Sequence, residues 1–267
     1  MELFFAKYQG AGNDFILVDD RQGSFPWVDK QVVQALCARK LGIGADGLIL
    51  LQTSQKADLR MRIFNSDGSE AAMCGNGIRC LALYAKKLGF LQDPLLIETL
   101  GRVLTCHVEG QEVVVSLSTS KVLYFPLHLQ DVLEEEVFVV DTGVPHAVVF
   151  VKDLSCFPVE TLVKKIRLHP FFAPEGVNVN FIHVELDGSI SIRTYERGVE
   201  GETLACGTGS AAAFFICIKK GLVPTTARVM PLSQEALTFS LVPSSTGEEE
   251  IFMKGKASLV FEGRVLL

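Results

Sequence analysis

Two cysteines are the residues best equipped for chemistry. Each opens a Cys-Gly-x-Gly tetrad, Cys74-Gly75-Asn76-Gly77 and Cys206-Gly207-Thr208-Gly209. A glycine-rich turn that starts a helix leaves its first backbone N–H groups without intrahelical partners. With the positive end of the helix dipole, those donors favour an anion and lower the pKa of a cysteine placed among them. The glycines let a ligand approach the backbone with no Cβ in the way. A thiolate on one face of a carbon and a thiol on the other could remove a proton from one side and deliver one from the opposite side. That exchange inverts a stereocentre and requires no cofactor. An α-proton beside a carboxylate is weakly acidic, and a thiol of ordinary pKa, about 8.5, matches it poorly. The helix dipole contributes about 1–2 kcal/mol. A preorganised donor aimed at a developing oxyanion contributes about 3–4 kcal/mol. The main-chain amides after Cys74 and Cys206 are therefore expected to matter more than the dipoles, as a cradle for an α-carboxylate.

The elements that must hold these tetrads repeat. The first tetrad runs into Ile78-Arg79-Cys80-Leu81-Ala82-Leu83-Tyr84-Ala85 and meets Lys86-Lys87-Leu88-Gly89; the second runs into Ser210 to Ile218 and meets Lys219-Lys220-Gly221. The cysteines lie close to half the chain's length apart, the signature of an internal duplication. Both stretches are apolar nearly all round, which predicts buried helices, and the lysine pairs and glycines suit helix C-termini. One cysteine at a tight turn would read as a small buried residue; two at matching positions read as a functional pair. A tyrosine-phosphatase loop also places a cysteine before a helix and an arginine after it. Here Arg79 comes one position too early and Met73 stands where that loop carries a histidine. A disulfide between the tetrads is a poor default for this composition.

A chain of 267 residues suits two ordinary domains or one large one. Its 48% hydrophobic and 21% charged residues are those of a globular protein. A net charge of −6 argues against nucleic acid or an anionic membrane surface as the main partner. The N-terminal Met1 to Tyr8 lacks the basic and long apolar regions of a signal peptide, and no apolar run approaches membrane-spanning length. Seven cysteines without CxxC pairs point to a reducing compartment, the cytoplasm by default. Nothing resembles a P-loop or GxGxxG, and no cluster has metal spacing. The expectation is no cofactor, no metal and a small-molecule substrate; a homodimer is compatible with all of this.

Along the chain, strands are predicted at Leu3 to Gln9 and Phe15 to Asp19, then a helix over Val28 to Leu41. Strands follow at Leu48 to Leu51 and Leu59 to Phe64, then the first tetrad and helix, then strands at Leu95 to Thr99, Val103 to Val108 and Val113 to Leu117. The polar run Ser116 to Lys121 is the best junction. The second half repeats the order: strands at Val137 to Asp141 and Ala147 to Val151, a helix at Val159 to Leu168, and strands at Val177 to Val184 and Ile190 to Tyr195. A loop then leads into the second tetrad and helix, and Thr226 to Leu267 is strand-rich with a turn at 244–248. The expected fold is α/β (α+β): two pseudo-symmetric domains, each a mixed or antiparallel sheet wrapped around a central buried helix. The N-terminal domain covers 1–119, joined by a C-terminal strand at 258–267, and the other covers 120–257.

Several stretches together resemble the diaminopimelate epimerase family. They are Gly12-Asn13-Asp14-Phe15, the Gly42 to Gly47 turn, Ile63 to Glu70, Cys74 to Cys80, Val177-Asn178-Val179-Asn180, Glu196-Arg197-Gly198 and Glu202 to Gly209. The resemblance spans nearly the whole chain. It implies cofactor-independent epimerisation of LL-diaminopimelate to the meso form, for lysine and peptidoglycan precursors, with Cys74 and Cys206 as the acid/base pair. It also implies that His146 sits beside Cys74 and Glu196 beside Cys206, each tuning its thiol. Asn13, Asn65, Asn178, Glu196 and Arg197 would hold the distal groups of the substrate, Arg197 as a planar fork for a carboxylate. Gly75, Asn76, Gly207 and Thr208 would bind the α-carboxylate. Taken singly, the asparagines read as turn and cap residues, His146 as structural in a Pro-His turn, and Glu196 equally as a solvated charge.

Two departures fall at the expected substrate pocket. The family usually has Gly-Asn-Pro-His where this chain has Gly143-Val144-Pro145-His146, so a polar side chain is missing. The loop Val199-Glu200-Gly201 is one residue longer than usual. They imply altered or relaxed distal recognition, and the alternative is a racemase of a shorter dicarboxylic or proline-type amino acid. Proline racemases share the paired cysteines but usually carry a histidine where Asn76 stands. A non-enzymatic amino-acid-binding protein is the third reading.

Overall fold

The structure, a computed structural model, describes residues 2–23, 25, 29–117, 121–127, 129, 135–155, 157–243 and 249–267. Its contacts divide the chain into two units: Met1–Ser116 with Lys254–Leu267, and Leu117–Met253. In chain order the first unit holds β1 (Glu2–Gly10), β2 (Asn13–Asp19), α1 (Lys30–Cys37), β3 (Gly47–Gln52), β4 (Leu59–Asn65), β5 (Glu70–Ala71), α2 (Gly75–Lys87), β6 (Leu95–Glu98), β7 (Val103–Glu109) and β8 (Glu112–Leu117). The second holds β9 (Lys121–Leu127), β10 (Val137–Asp141), β11 (Pro145–Phe150), α3 (Val159–Arg167), β12 (Asn178–Val184), β13 (Ile190–Glu196), β14 (Gly201–Thr203), α4 (Gly207–Lys219), β15 (Thr226–Met230) and β16 (Leu237–Pro243). β17 (Glu249–Lys256) crosses the boundary, and β18 (Ser258–Leu266) belongs to the first unit.

Within the first unit, β1 pairs antiparallel with both β18 and β2, and β3 pairs antiparallel with β4. β6–β7 and β7–β8 are also antiparallel. The parallel pairs are β2–β3 and β4–β6. A parallel pair needs a crossover, and α1 and α2 supply them. The second unit follows the same scheme: β11–β12 and β13–β15 are parallel, and α3 and α4 are their crossovers. The mixed sheets and one buried helix per half are as the sequence predicts.

The sheet curls around α2, which packs against β1, β2, β3, β4, β7 and β18. α4 likewise packs against β10 through β13, β15 and β16. Central strands are therefore covered on both faces, and Leu48, Ile49, Leu50 and Leu51 are all buried, which is why β3 reads as a continuous apolar run. Leu48 and Leu50 join Val33, Leu36 and Cys37 of α1 in one core cluster. Successive side chains alternate between faces, so Ile49 and Leu51 point the other way. Both central helices stop at glycine as predicted, Gly89 at φ 97° and Gly221 at φ 68°. The bonds Phe90 N→Ala85 O (3.1 Å) and Leu222 N→Cys217 O (2.9 Å) close the last turns.

Two local expectations are corrected. The helix predicted over 28–41 is shorter, because Ala38 is extended and Gly42 N–H bonds Ala38 O at 2.8 Å, turning the chain away. The loop before the second tetrad contains the short strand β14, paired with the end of β13. Its counterpart before the first tetrad is β5, paired with β4. The turn expected at 244–248 and the heart of the junction at 118–120 lie outside the described residues.

Candidate active site

Each unit carries a candidate site of its own, built on the first turn of its central helix. In the first unit Cys74 is the N-cap of α2, extended at φ −140°, ψ 123°, with its side chain making no capping bond. Its Sγ donates to Asn13 Oδ1 at 3.6 Å, and Asn76 Nδ2 donates to the same oxygen at 3.4 Å. Asn13 Nδ2 is committed to Asp46 Oδ2 at 2.7 Å, which fixes the amide with its oxygen towards the thiol. Asp46 is held in turn by Arg39 (2.6 Å), and Arg39 also pairs with Asp14 at 2.8 Å. Buried Lys7 pairs with Asp14 at 2.8 Å and bonds Gly44 O. Burial pushes the Asp14 carboxyl up, but hydrogen bonds from Arg39 and Lys7 outweigh it and hold it down at about 2.

Arg79 lies wholly buried beneath this turn. It donates to Gly75 O at 3.1 Å and Asn76 Oδ1 at 2.9 Å. Its planar fork locks the tetrad's backbone and adds a positive charge under the expected carboxylate cradle. Asn65, by contrast, is exposed at the end of β4 and donates to Ser69 Oγ at 3.0 Å.

In the second unit Cys206 is the N-cap of α4 and is buried. Burial and the negative charge of Glu196 push its thiol well above the ordinary range, against the pull of the Thr208 hydroxyl and Gly209 N–H. Glu196 lies within hydrogen-bond reach of the thiol and accepts from Thr203 Oγ1 at 2.6 Å. Thr208 Oγ1 is 3.5 Å from Cys206 Sγ, and Thr208 O accepts from Thr142 Oγ1 at 3.1 Å. Gly207 is the first residue of α4 and is buried. Asn178 Oδ1 accepts from Arg197 N at 2.8 Å. The Arg197 guanidinium meets Glu175 at 3.2 Å, an ion pair on the rim.

His146, expected beside Cys74, belongs to the second unit and lies against the turn that follows Cys206. Its Nε2 is 3.0 Å from Thr208 Oγ1 and its Nδ1 is 3.1 Å from Asn180 Nδ2. Burial, helped by the charge on Arg197, pushes it down to about 3, so the ring is neutral. Val144 is half-buried in a turn closed by Thr142 N→Val144 O at 3.2 Å. The loop before β14 places Glu200 at φ 53°, with its carboxylate on Arg167 Nη2 at 2.7 Å.

The structure thus gathers Asn13, Cys74, Gly75 and Asn76 in one half, and His146, Asn178, Glu196, Cys206, Gly207 and Thr208 in the other. Sequence reasoning missed Asp46, Arg79, Asn180 and Thr194. The signal for the last two was available: Asn180 and Thr194 are polar residues set among apolar neighbours at buried strand positions. Among the described residues no group of three or more His, Cys, Asp or Glu could hold a metal ion. No helix of the described residues is long and apolar enough to cross a membrane.

Comparison with known proteins identifies relatives of the whole chain. The family model described as Diaminopimelate epimerase matches residues 5–123 and 138–260. A diaminopimelate epimerase of Archaeoglobus fulgidus is 42% identical, covering 98% of this chain and 96% of the relative. That of Aquifex aeolicus is 41% identical, covering 98% and 97%. Among solved structures, a Bacillus anthracis phenazine biosynthesis protein of the PhzF family superposes with a TM-score of 0.74 at 17% identity, covering all of both chains. An Agrobacterium vitis hydroxyproline epimerase with bound trans-4-hydroxy-L-proline superposes at 0.70 with 18% identity, covering 100% of this chain and 93% of that one. At such identities these two share the fold alone.

Proposed function

The chain belongs to the diaminopimelate epimerase family, and from that premise we propose that it interconverts LL- and meso-diaminopimelate without a cofactor, using Cys74 and Cys206 as opposed acid and base. The observation that carries this reading is the pair of cysteines at matching helix N-caps, each with a different proton partner. Asn13 Oδ1 can only accept, so it keeps Cys74 as S–H, ready to give a proton. At Cys206 the Thr208 hydroxyl and Gly209 N–H pull towards the thiolate, the form ready to take a proton, against burial and the charge of Glu196.

In the forward direction the Cys206 thiolate removes the α-proton and becomes a thiol. Electron density moves into the α-carboxylate, where the first-turn amides after both cysteines stabilise the dianion. Cys74 then protonates the opposite face of the carbon and becomes the thiolate. Reversal exchanges the roles, and charge balances throughout. Exclusion of water strengthens these interactions. Gly75, Asn76, Gly207 and Thr208 hold the α-carboxylate; Asn13, Asn65, Asn178, Glu196 and Arg197 hold the distal end. The cytoplasm is the expected compartment, as seven cysteines without CxxC pairs suggest.

The decisive test is deuterium incorporation at the substrate α-carbon in heavy water without added cofactor. It is expected with the native protein and lost with epimerisation in C74A and in C206A. Undiminished epimerisation by either variant overturns the assignment. A racemase of another amino acid on this scaffold is not favoured, because relatives at about 40% identity over nearly the full chain bear the diaminopimelate epimerase name.

A further inference from the structure

The two halves are built alike but differ in what lies beneath the tetrads. In the first unit a Cβ at Gly77 would meet Ile49 Cδ1 at 2.9 Å and Ile63 Cδ1 at 3.0 Å. Those two residues are cross-strand partners on β3 and β4, with Phe15 of β2 opposite Gly47. In the second unit a Cβ at Gly209 would meet Asn180 Oδ1 at 2.3 Å and His146 Cε1 at 3.4 Å. Asn180 pairs with Thr194 across β12 and β13, and His146 of β11 lies opposite Asn178. An apolar trio in one half is thus replaced by a fully buried polar trio in the other. Burying polar groups costs stability unless each is satisfied, so the replacement calls for a purpose.

The direction of each bond in this trio follows from what its partners can do. Asn180 Nδ2 donates to Ala147 O at 3.0 Å, a carbonyl that cannot donate, which identifies it as the amide nitrogen. Asn180 Oδ1 accepts from Thr194 Oγ1 at 3.0 Å. Nδ2 must therefore also donate to His146 Nδ1, which leaves the histidine proton on Nε2. Nε2–H donates to Thr208 Oγ1, and the Thr208 hydroxyl proton is then free to point at Cys206 Sγ.

We propose that Asn180 is a positioning residue for Cys206: anchored by Thr194, it fixes the tautomer of His146, which turns the Thr208 hydroxyl towards the sulfur and stabilises the thiolate. The relay offsets the groups that oppose that thiolate, namely burial and the facing carboxylate of Glu196 on β13. Among the described residues the other charge near the relay is Arg197, which adds to burial in keeping His146 neutral. In the first unit the side chain two residues after the cysteine is Asn76, and Cys74 donates to Asn13. The duplication has diverged into one half that holds a proton and one that releases it.

This inference rests on the reading of Cys206 as an acid/base thiol, yet its test needs no turnover. In the native protein, ¹⁵N-histidine NMR should show His146, assigned against H146Q, protonated at Nε2 and bare at Nδ1 from pH 5 to 9. Protonation at Nδ1 overturns the proposal. The pH profile of Cys206 alkylation by iodoacetamide, read by peptide mass mapping, should move up by about one unit in N180L and in T208V, roughly tenfold slower reaction below the new pKa. T208S should restore the native profile. An unmoved profile in both N180L and T208V overturns the relay. If instead C206A still epimerises while the NMR and alkylation results hold, the functional reading fails and the relay stands.

Discussion

A glycine two positions into each central helix shows how one atom can separate two halves of similar design. Gly77→Ala presses on the methyl tips of Ile49 and Ile63, which can move by a few tenths of an ångström. Gly209→Ala drives a Cβ to 2.3 Å from Asn180 Oδ1, an atom tied to Thr194. Overpacking of this kind costs about 1–3 kcal/mol, and urea unfolding should place G209A at the upper end and G77A at the lower. Val144 is the residue where the family pattern is missing a polar group. V144N should lower KM for diaminopimelate by about two- to tenfold, the worth of one hydrogen bond of about 0.5–1.5 kcal/mol, with kcat little changed. Steady-state kinetics on both variants would check this.

The crossovers explain why the cysteines stand where they do. A helix joining two parallel strands starts beyond the end of the first strand, so α2 and α4 begin beside the ends of β4 and β13, and the cysteines precede each helix by one residue. Burial of these helices is the main anchor of each half. α4 carries Phe214, which stacks on Phe239 of β16 at 5.6 Å and is wholly buried. Phe214→Ala should cost about 3–5 kcal/mol, seen as a lower urea midpoint with an unchanged slope. The duplication, the glycine stops and the uniform apolarity of these helices were legible because each follows from local composition. α1 was overestimated because its apolar spacing continues past Ala38, whereas Gly42 and Gly44 pull the chain back onto Ala38 and Leu36. β5 and β14 escaped notice because two or three residues carry no periodicity.

At the scale of the molecule, each unit carries its own pH-sensitive group, His146 fully buried and Asp14 half-buried, and the two respond in different windows. His146 falls from 6.5 to about 3 in the second unit. Below about pH 6.5 the unfolded chain takes a proton that the folded one refuses, so stability declines by up to about 1.4 kcal/mol per pH unit as pH falls towards 3. Asp14 falls from 3.8 to about 2 in the first unit, so its contribution is intact above about pH 4 and lost only as pH drops through 2. Hydrogen exchange on peptides from each unit should show the second loosening first on acidification, and H146Q should remove much of that difference. The sequence by itself determined the duplication, the mixed sheets with one buried helix per half, and the two thiols with their glycine-rich cradles, since all of these are written in periodicity and spacing along the chain. Only the tertiary structure decided that His146 serves the turn after Cys206, that Arg79 braces the first tetrad, and that Asn180 and Thr194 stand under the second. The partnerships of His146 join segments far apart in sequence, and no local pattern reports which polar side chain will face which helix until the sheet registers bring them together.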